Sequence, residues 1–256
     1  MTRRAVVLSV LFGIIFSISI LLYGLLSFQE CEKGSYKIKS NGFRTKVYFI
    51  EPLGTEKEIL RRWGKFHSFD IGDTDGDGRE ELGIVMGKIF SKRGNRTIIL
   101  SVDEEETVNI HFDVDMTSIR PWKIRFGDIN GDGKDEVALG VYKTTPFHHR
   151  MDNRLFFYEL KKEKQILFPI FRASRLISPY YDFEFVDMGG YDAPMSIERT
   201  EDNQRKVRIY KKDGFGFILT HESEVYPRGD HWNIVEGEYY IHGIKVCPKD
   251  IRRVDE

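Results

Sequence analysis

Asp73-Thr-Asp75-Gly-Asp77-Gly78-Arg79-Glu-Glu81 and Asp128-Ile-Asn130-Gly-Asp132-Gly133-Lys134-Asp-Glu136 are the two stretches on which the reading of this chain turns. Both follow the pattern D-x-[DN]-G-D-G-x-x-E, and both run directly into apolar sequence, Leu82-Gly-Ile-Val-Met86 and Val137-Ala-Leu-Gly-Val141. Oxygen-bearing side chains at loop positions 1, 3, 5 and 9 suit a hard cation, because Ca²⁺ takes about six to eight oxygens at about 2.3–2.6 Å. Gly78 and Gly133, at position 6, let the backbone reverse, so that the carbonyl at position 7 (Arg79, Lys134) can also point inward. Position 12 is Ile84 in one loop and Leu139 in the other. The EF-hand, which needs a bidentate Glu there and a helix on either side, is therefore excluded. The flanks, Phe66-His-Ser-Phe-Asp-Ile71 and Trp122-Lys-Ile-Arg-Phe126, alternate aromatic or β-branched residues with polar ones and predict strands. These are acidic turns between strands.

The two loops resemble the FG-GAP (VCBS) repeat of integrin-type β-propellers, whose blades carry a D-x-[DN]-x-D-G-x-x-[DE] loop beside their first strand. The resemblance implies one Ca²⁺ per intact loop. Its ligands would be Asp73, Asp75, Asp77 and Glu81 in the first, and Asp128, Asn130, Asp132 and Glu136 in the second. Asn130 makes the formal ligand charge of the second loop one lower, so the first loop is expected to bind more tightly.

The repeat continues beyond the loops. Asp73 and Asp128 stand 55 residues apart, and Phe183-Glu-Phe-Val-Asp187-Met-Gly-Gly-Tyr-Asp192 repeats the strand-to-loop junction with most ligands gone. Trp232-Asn-Ile-Val-Glu-Gly-Glu238 is a fainter fourth echo. Each interval holds about four apolar runs, the content of one propeller blade. The expected fold is all-β: a small β-propeller-like domain of about four FG-GAP-type repeats, with an open sandwich or irregular all-β domain as the alternative. Residues 36–60 also read as strands, with a hairpin signal at Asn41-Gly42. Pairing them with the incomplete last repeat would close the ring and remove two free edges.

Arg3 and Arg4 precede an uncharged apolar run over residues 5–26. At about 1.5 Å per residue, such a run matches a hydrocarbon core of about 30 Å. It exceeds the apolar region of a cleaved signal peptide, about 7–15 residues, and lacks a small-x-small site. The expectation is a cytoplasmic N-terminus (residues 1–4), one transmembrane signal anchor (5–26), a linker (27–35) and an extracytoplasmic domain (36–256), following the bias of positive charge to the inside. Calcium is plentiful outside cells, where weak sites suffice. With 39 basic and 40 acidic residues the chain has no bulk charge for nucleic acid, and no nucleic-acid partner is expected. Its two cysteines, Cys31 and Cys247, can form a disulfide in an oxidising compartment or remain two thiols.

No G-x-S-x-G elbow, HExxH or phosphate loop occurs. His148-His149-Arg-Met-Asp152 is the most polar cluster outside the loops. A His pair near an Asp can bind a transition metal or serve as acid and base, but adjacent histidines in a strand point to opposite faces. The stretch reads as a long inter-strand loop, while Lys161-Lys-Glu-Lys164 and Glu104-Glu-Glu106 read as solvated turns. The function expected is a non-enzymatic, membrane-anchored, extracytoplasmic calcium-binding module for protein or glycan contact, or a subunit of a surface assembly. The alternatives are a propeller-fold hydrolase or lyase, and a spacer or degenerate paralogue.

Overall fold

The structure is a computed structural model that describes residues 12–20, 22–23, 28–146, 148–172, 176–226, 232–235, 238–241, 244–245 and 252–254. Four antiparallel meanders follow one another along the chain. The first pairs β1 (Gln29–Lys33), β2 (Tyr36–Ser40), β3 (Arg44–Ile50) and β4 (Glu56–Trp63). The second pairs β5 (Lys65–Gly72), β6 (Glu81–Gly87), β7 (Arg96–Val102) and β8 (Val108–Asp115). The third pairs β9 (Pro121–Gly127), β10 (Glu136–Thr145), β11 (His148–Lys161) and β12 (Ile166–Arg172). The fourth pairs β13 (Tyr180–Asp187), β14 (Asp192–Arg199), β15 (Arg205–Asp213) and β16 (Gly216–Glu222). A three-stranded sheet follows, β17 (Trp232–Val235), β18 (Glu238–Ile241) and β19 (Ile244–Lys245), and β20 (Arg252–Arg253) returns to pair with β16.

Alternation within the middle strands stacks these sheets face to face. Successive side chains of a strand point to opposite faces. Leu82, Ile84 and Met86 of β6 therefore pack with Ile98 and Leu100 of β7 against Tyr36, Ile38 and Val47 of the first sheet. Val85 and Ile99, one residue out of step, face the third sheet through Ile124, Val137 and Phe156. The third sheet repeats the device: Val137, Leu139 and Val141 look back, while Ala138, Leu155 and Phe157 meet Phe183 and Tyr210 of the fourth. Because β6 and β10 are covered on both faces, they read as continuous apolar runs rather than alternating ones. Successive four-stranded meanders stacked in this way make a propeller-like all-β fold.

Several expectations are corrected. Among the described residues, 36–60 pair with β1 in a four-stranded sheet rather than with the last repeat. Gln29–Lys33, expected to lie in a linker, is the edge strand β1, held by register pairs from Gln29↔Ser40 to Lys33↔Tyr36. The segment around His148 is a tight hairpin between two long strands, with Thr145 opposite His148, rather than a long loop. Cys247, half of the expected cysteine pair, lies outside the described residues.

Of the apolar run 5–26, residues 5–11, 21 and 24–26 lie outside the described residues, as do residues 1–4. Residues 12–20 are helical and exposed along their whole length. Among the described residues no helix is long and apolar enough to cross a membrane.

The second and third sheets come close together at Gly72, the last residue of β5. A Cβ there would lie 2.3 Å from Phe126 Cβ and 2.5 Å from Asp135 Oδ2. The first of these atoms is fixed to backbone, so no rotamer change relieves the overlap. Gly72→Ala should therefore destabilise the fold by about 1–3 kcal/mol, the usual range for overpacking. Chemical denaturation would test this, and an unchanged midpoint would mean that the second and third sheets are free to separate.

Candidate metal centre

The two acidic loops connect β5 to β6 and β9 to β10, and they fold alike for the same local reason. Asp73 accepts backbone N–H bonds from Gly76 (2.7 Å) and Asp77 (3.2 Å) on Oδ1 and from Gly78 (2.7 Å) on Oδ2. Asp128 repeats the pattern with Gly131 (2.7 Å), Asp132 (3.1 Å) and Gly133 (2.7 Å). This winding needs positive φ at positions 4 and 6: +74° and +82° at Gly76 and Gly78, +72° and +81° at Gly131 and Gly133. Only glycine takes that conformation without strain. The first carboxylate of each loop thus organises the loop and still faces its interior.

Glu81, at the start of β6, is almost fully buried. Its Oε2 accepts the Thr74 N–H (2.9 Å) and the Thr74 hydroxyl (2.6 Å). Glu136 has the same place in the second loop, where its Oε2 accepts the Ile129 N–H (3.0 Å) and its Oε1 the side-chain amide of Asn130. In the first loop, carboxylate oxygens of Asp73, Asp75 and Glu81 all lie within 4.8 Å of one another. Two ligands of one ion, each at about 2.4 Å, can be at most about 4.8 Å apart, so this donor set fits a hard cation.

The remaining predicted residues are placed differently. Asp77 turns to Arg79, accepting its backbone N–H (2.8 Å), Nε (3.0 Å) and Nη2 (2.6 Å). The Arg79 guanidinium holds the Asp77 carboxyl below its usual range. Asp132 accepts the Lys134 N–H (3.1 Å). Asn130 donates its side-chain amide to Glu136 Oε1, which places positions 3 and 9 side by side. At the third junction Asp187 accepts the Gly189 N–H (2.7 Å), and the loop closes after four residues, with Gly189 and Tyr191 in place of the carboxylate or amide at positions 3 and 5.

Two lysines enter these loops from neighbouring sheets. Lys162, read from sequence as part of a solvated turn, instead donates to Asp75 Oδ2 (2.6 Å) and Glu81 Oε1 (2.7 Å). Lys212 of β15 donates to Asn130 Oδ1 and so stands at the same place in the second loop. The β11–β12 turn of the third sheet serves the loop of the second, and the β15–β16 hairpin of the fourth serves the loop of the third. That shared one-sheet offset was the available signal, visible only once the sheets had been aligned.

A further tie was missed in sequence. Asp135, at position 8, accepts the Asp73 N–H on its carboxylate (2.8 Å) and donates its own N–H to the Asp73 carbonyl (2.8 Å). Asp192 does the same for Asp128, at 3.0 and 2.7 Å. Each loop is thereby bolted to the next sheet. Burial pushes the Asp135 carboxyl up to about 6, with Asp192, Asp128 and Asp73 adding repulsion. Burial, with repulsion from Asp132 and Asp128, pushes Glu136 up to about 7, against the pull of the Ile129 N–H and Lys212. Such crowding of carboxyls is relieved by a proton or by a metal cation.

No family model and no curated protein matches the chain. Among solved structures it is similar to a candidate 6-phosphogluconolactonase from Bacteroides uniformis ATCC 8492, with a TM-score of 0.49 and 11% identity, over 88% of this chain and 68% of that one.

Proposed function

We propose that the chain is a membrane-anchored, extracytoplasmic β-propeller module of the FG-GAP type, in which Ca²⁺ holds the acidic loops and the rigid domain presents a surface for protein or glycan contact, alone or within a larger assembly. The observation that carries the reading is the convergence of Asp73, Asp75 and Glu81 on a glycine-turned loop whose winding recurs in the next sheet. Asp73, Asp75, Glu81 and the Arg79 carbonyl would hold one ion; Asp128, Asn130, Glu136 and the Lys134 carbonyl would hold a second, with Asp77 and Asp132 reached by rotation. The ion would neutralise carboxylates and lock the turns. The anchor is supported by the apolar helix over residues 12–20, which no other part of the described domain covers.

Calcium should raise the melting temperature. A ligand that binds only the native state adds RT ln(1 + [L]/Kd), about 1.4 kcal/mol per site at about 1 mM Ca²⁺ if Kd is on the order of 10⁻⁴ M. The gain should also grow with pH. A Glu136 carboxyl raised from 4.5 to about 7 stabilises the calcium-free fold fully below 4.5. That contribution fades as pH rises toward 7, where Ca²⁺ takes over from the proton. Melting curves in calcium and in chelator at pH 6 and pH 8 test this; coincident curves at both pH values would remove calcium from the account.

A further inference from the structure

An antiparallel meander places its successive connections alternately at two ends. The acidic loops, residues 73–80 and 128–135, lie at one end of the stacked sheets with the β7–β8 turn, Asp103–Thr107. The β2–β3, β4–β5 and β6–β7 connections lie at the other, where the chain also enters β1 from the N-terminal apolar segment. At that entry Tyr23, the last described residue of the segment before Phe28, packs edge-on against Phe43 of the β2–β3 turn (5.1 Å between ring centroids) and against Phe90 of the β6–β7 loop (4.4 Å). The apolar segment therefore leaves the domain from the end opposite the acidic loops.

This end has a particular chemistry. The β6–β7 loop reads Lys88-Ile-Phe-Ser-Lys-Arg93, with an exposed Ile89-Phe90 tip between cations. Phe90 is 67% exposed and has φ +64°, a conformation that strains an aromatic residue; one side of its ring meets Tyr23 and Phe43 while most of it stays open to solvent. Trp63, at the end of β4, is 72% exposed beneath the Arg44 guanidinium, which lies 4.3 Å from its ring, and Phe28 is 56% exposed beside it. Two hollows flank Trp63. One, of about 440 Å³, runs between Phe28, Phe43 and Arg44; the other, of about 420 Å³, runs past Lys88 and Arg96. No carboxylate is among the lining residues of either hollow, although Lys39 and Lys46 reach Glu56 and Glu58, Arg62 and Arg96 both pair with Asp113, and Asn95 bonds Asp115. Lys88 and Lys92 of the loop carry no such pair among the described residues.

We propose that this end, formed by Phe28, Phe43, Arg44, Trp63 and the Lys88–Arg93 loop, lies against the headgroup layer of an anionic phospholipid bilayer. The domain then stands on the membrane with its acidic loops pointing away from it. The inference rests on the reading of residues 5–26 as an anchor and adds a second point of attachment. Aromatic rings prefer the bilayer interface, and Lys and Arg near an anionic leaflet are drawn to it. Exposed aromatic and aliphatic side chains amid cations, next to the point where the chain becomes wholly apolar, match such an interface in both respects.

The test is tryptophan emission of the full chain reconstituted in phosphatidylcholine vesicles, with and without phosphatidylglycerol, using lipids brominated near the headgroup as quenchers. Quenching should be at least about twofold stronger with phosphatidylglycerol, fall in high salt as screening sets in, and be lost in Trp63→Phe. Lys88→Glu with Lys92→Glu should reduce it to the level seen in phosphatidylcholine alone. Emission insensitive to bromolipid in both vesicle types, or equally quenched in both, overturns the proposal. The anchor is read separately by flotation with vesicles in high salt. If the chain does not float there, the anchor reading fails, and flotation on phosphatidylglycerol vesicles at low salt then decides the surface: retention supports it, and loss overturns it.

Discussion

Glu184→Ala should lower the free energy of unfolding by about 3–5 kcal/mol, the range for removing one partner of a buried ion pair. Glu184 lies on β13, the first strand of the fourth sheet, with its side chain only 3% exposed. It accepts Arg125 Nε on Oε2 (2.5 Å) and Arg125 Nη2 on Oε1 (2.8 Å), a two-pronged contact, and Lys123 also donates to Oε1. Lys123 in turn reaches Asp182 at 2.7 Å. Burial pushes the Glu184 carboxyl up, but Arg125 and Lys123 together hold it below its usual range. Both cations belong to β9, so the carboxylate clips the first strand of the fourth sheet onto that of the third. Truncating it leaves the buried Lys123 ammonium and the Arg125 guanidinium facing each other, with Asp182 on Lys123 and Asp70 as the other nearby negative charge. Because the Glu184 pKa is depressed, the contribution is present above about 4.5 and fades as pH falls below it. Urea denaturation of Glu184→Ala against the parent chain would measure it. A loss under about 1 kcal/mol would mean that water reaches both cations. Lys123→Met and Arg125→Met combined with Glu184→Met should cost less than Glu184→Ala alone, because both cations then leave with the carboxylate that held them.

The sheets and the acidic turns were legible for a common reason: both are local. Period-2 alternation in Phe66–Ile71 and Trp122–Phe126, and glycines at loop positions 4 and 6, are decided within a few residues. The apolar runs Leu82–Met86 and Val137–Val141 were visible beside the loops, and the structure shows why they do not alternate: both strands are covered on both faces. The fate of the first sheet was not legible. Gln29–Lys33 is a polar edge strand, exposed on most of its length, and an edge strand need not look apolar. Residues 36–60 read correctly as strands, but their partner was β1 rather than the last repeat. Strand pairing at a distance leaves no trace in a single sequence when one member is polar. The same holds for Lys162 and Lys212, which look like ordinary surface lysines until the fold brings them 87 and 82 residues back to Asp75 and Asn130. Asp135 and Asp192 lay in plain view beside the motif, yet their role joins one sheet to the next, and no within-loop argument reaches it.

Lys162→Met should tighten calcium binding at the first loop by about tenfold or more while lowering the melting temperature in chelator. The ammonium of Lys162 holds Asp75 and Glu81 at 2.6 and 2.7 Å, the two carboxylates that with Asp73 form the convergent set. An incoming cation has to displace it. Hydrogen bonds between charged groups are worth about 1.5–3 kcal/mol each, and giving up even one corresponds to about a tenfold change in affinity. Without calcium the sign reverses. Glu81 is only 1% exposed, and beyond Thr74 its negative charge has Lys162 as its close counter-ion among the described residues. The variant therefore depends on the metal where the parent depends on its own lysine, and its melting temperature should cross the parent's as calcium rises. Glu81→Gln should abolish binding at this loop in either background, since it removes the one carboxylate that is both buried and convergent. Calorimetric titration of the parent, Lys162→Met and Glu81→Gln separates these outcomes. The charge count of the loops predicts a tighter first site, but that ranking holds only after the internal cation is taken away. If the affinity of Lys162→Met is equal to or weaker than that of the parent, the lysine orders the loop for the metal rather than competing with it.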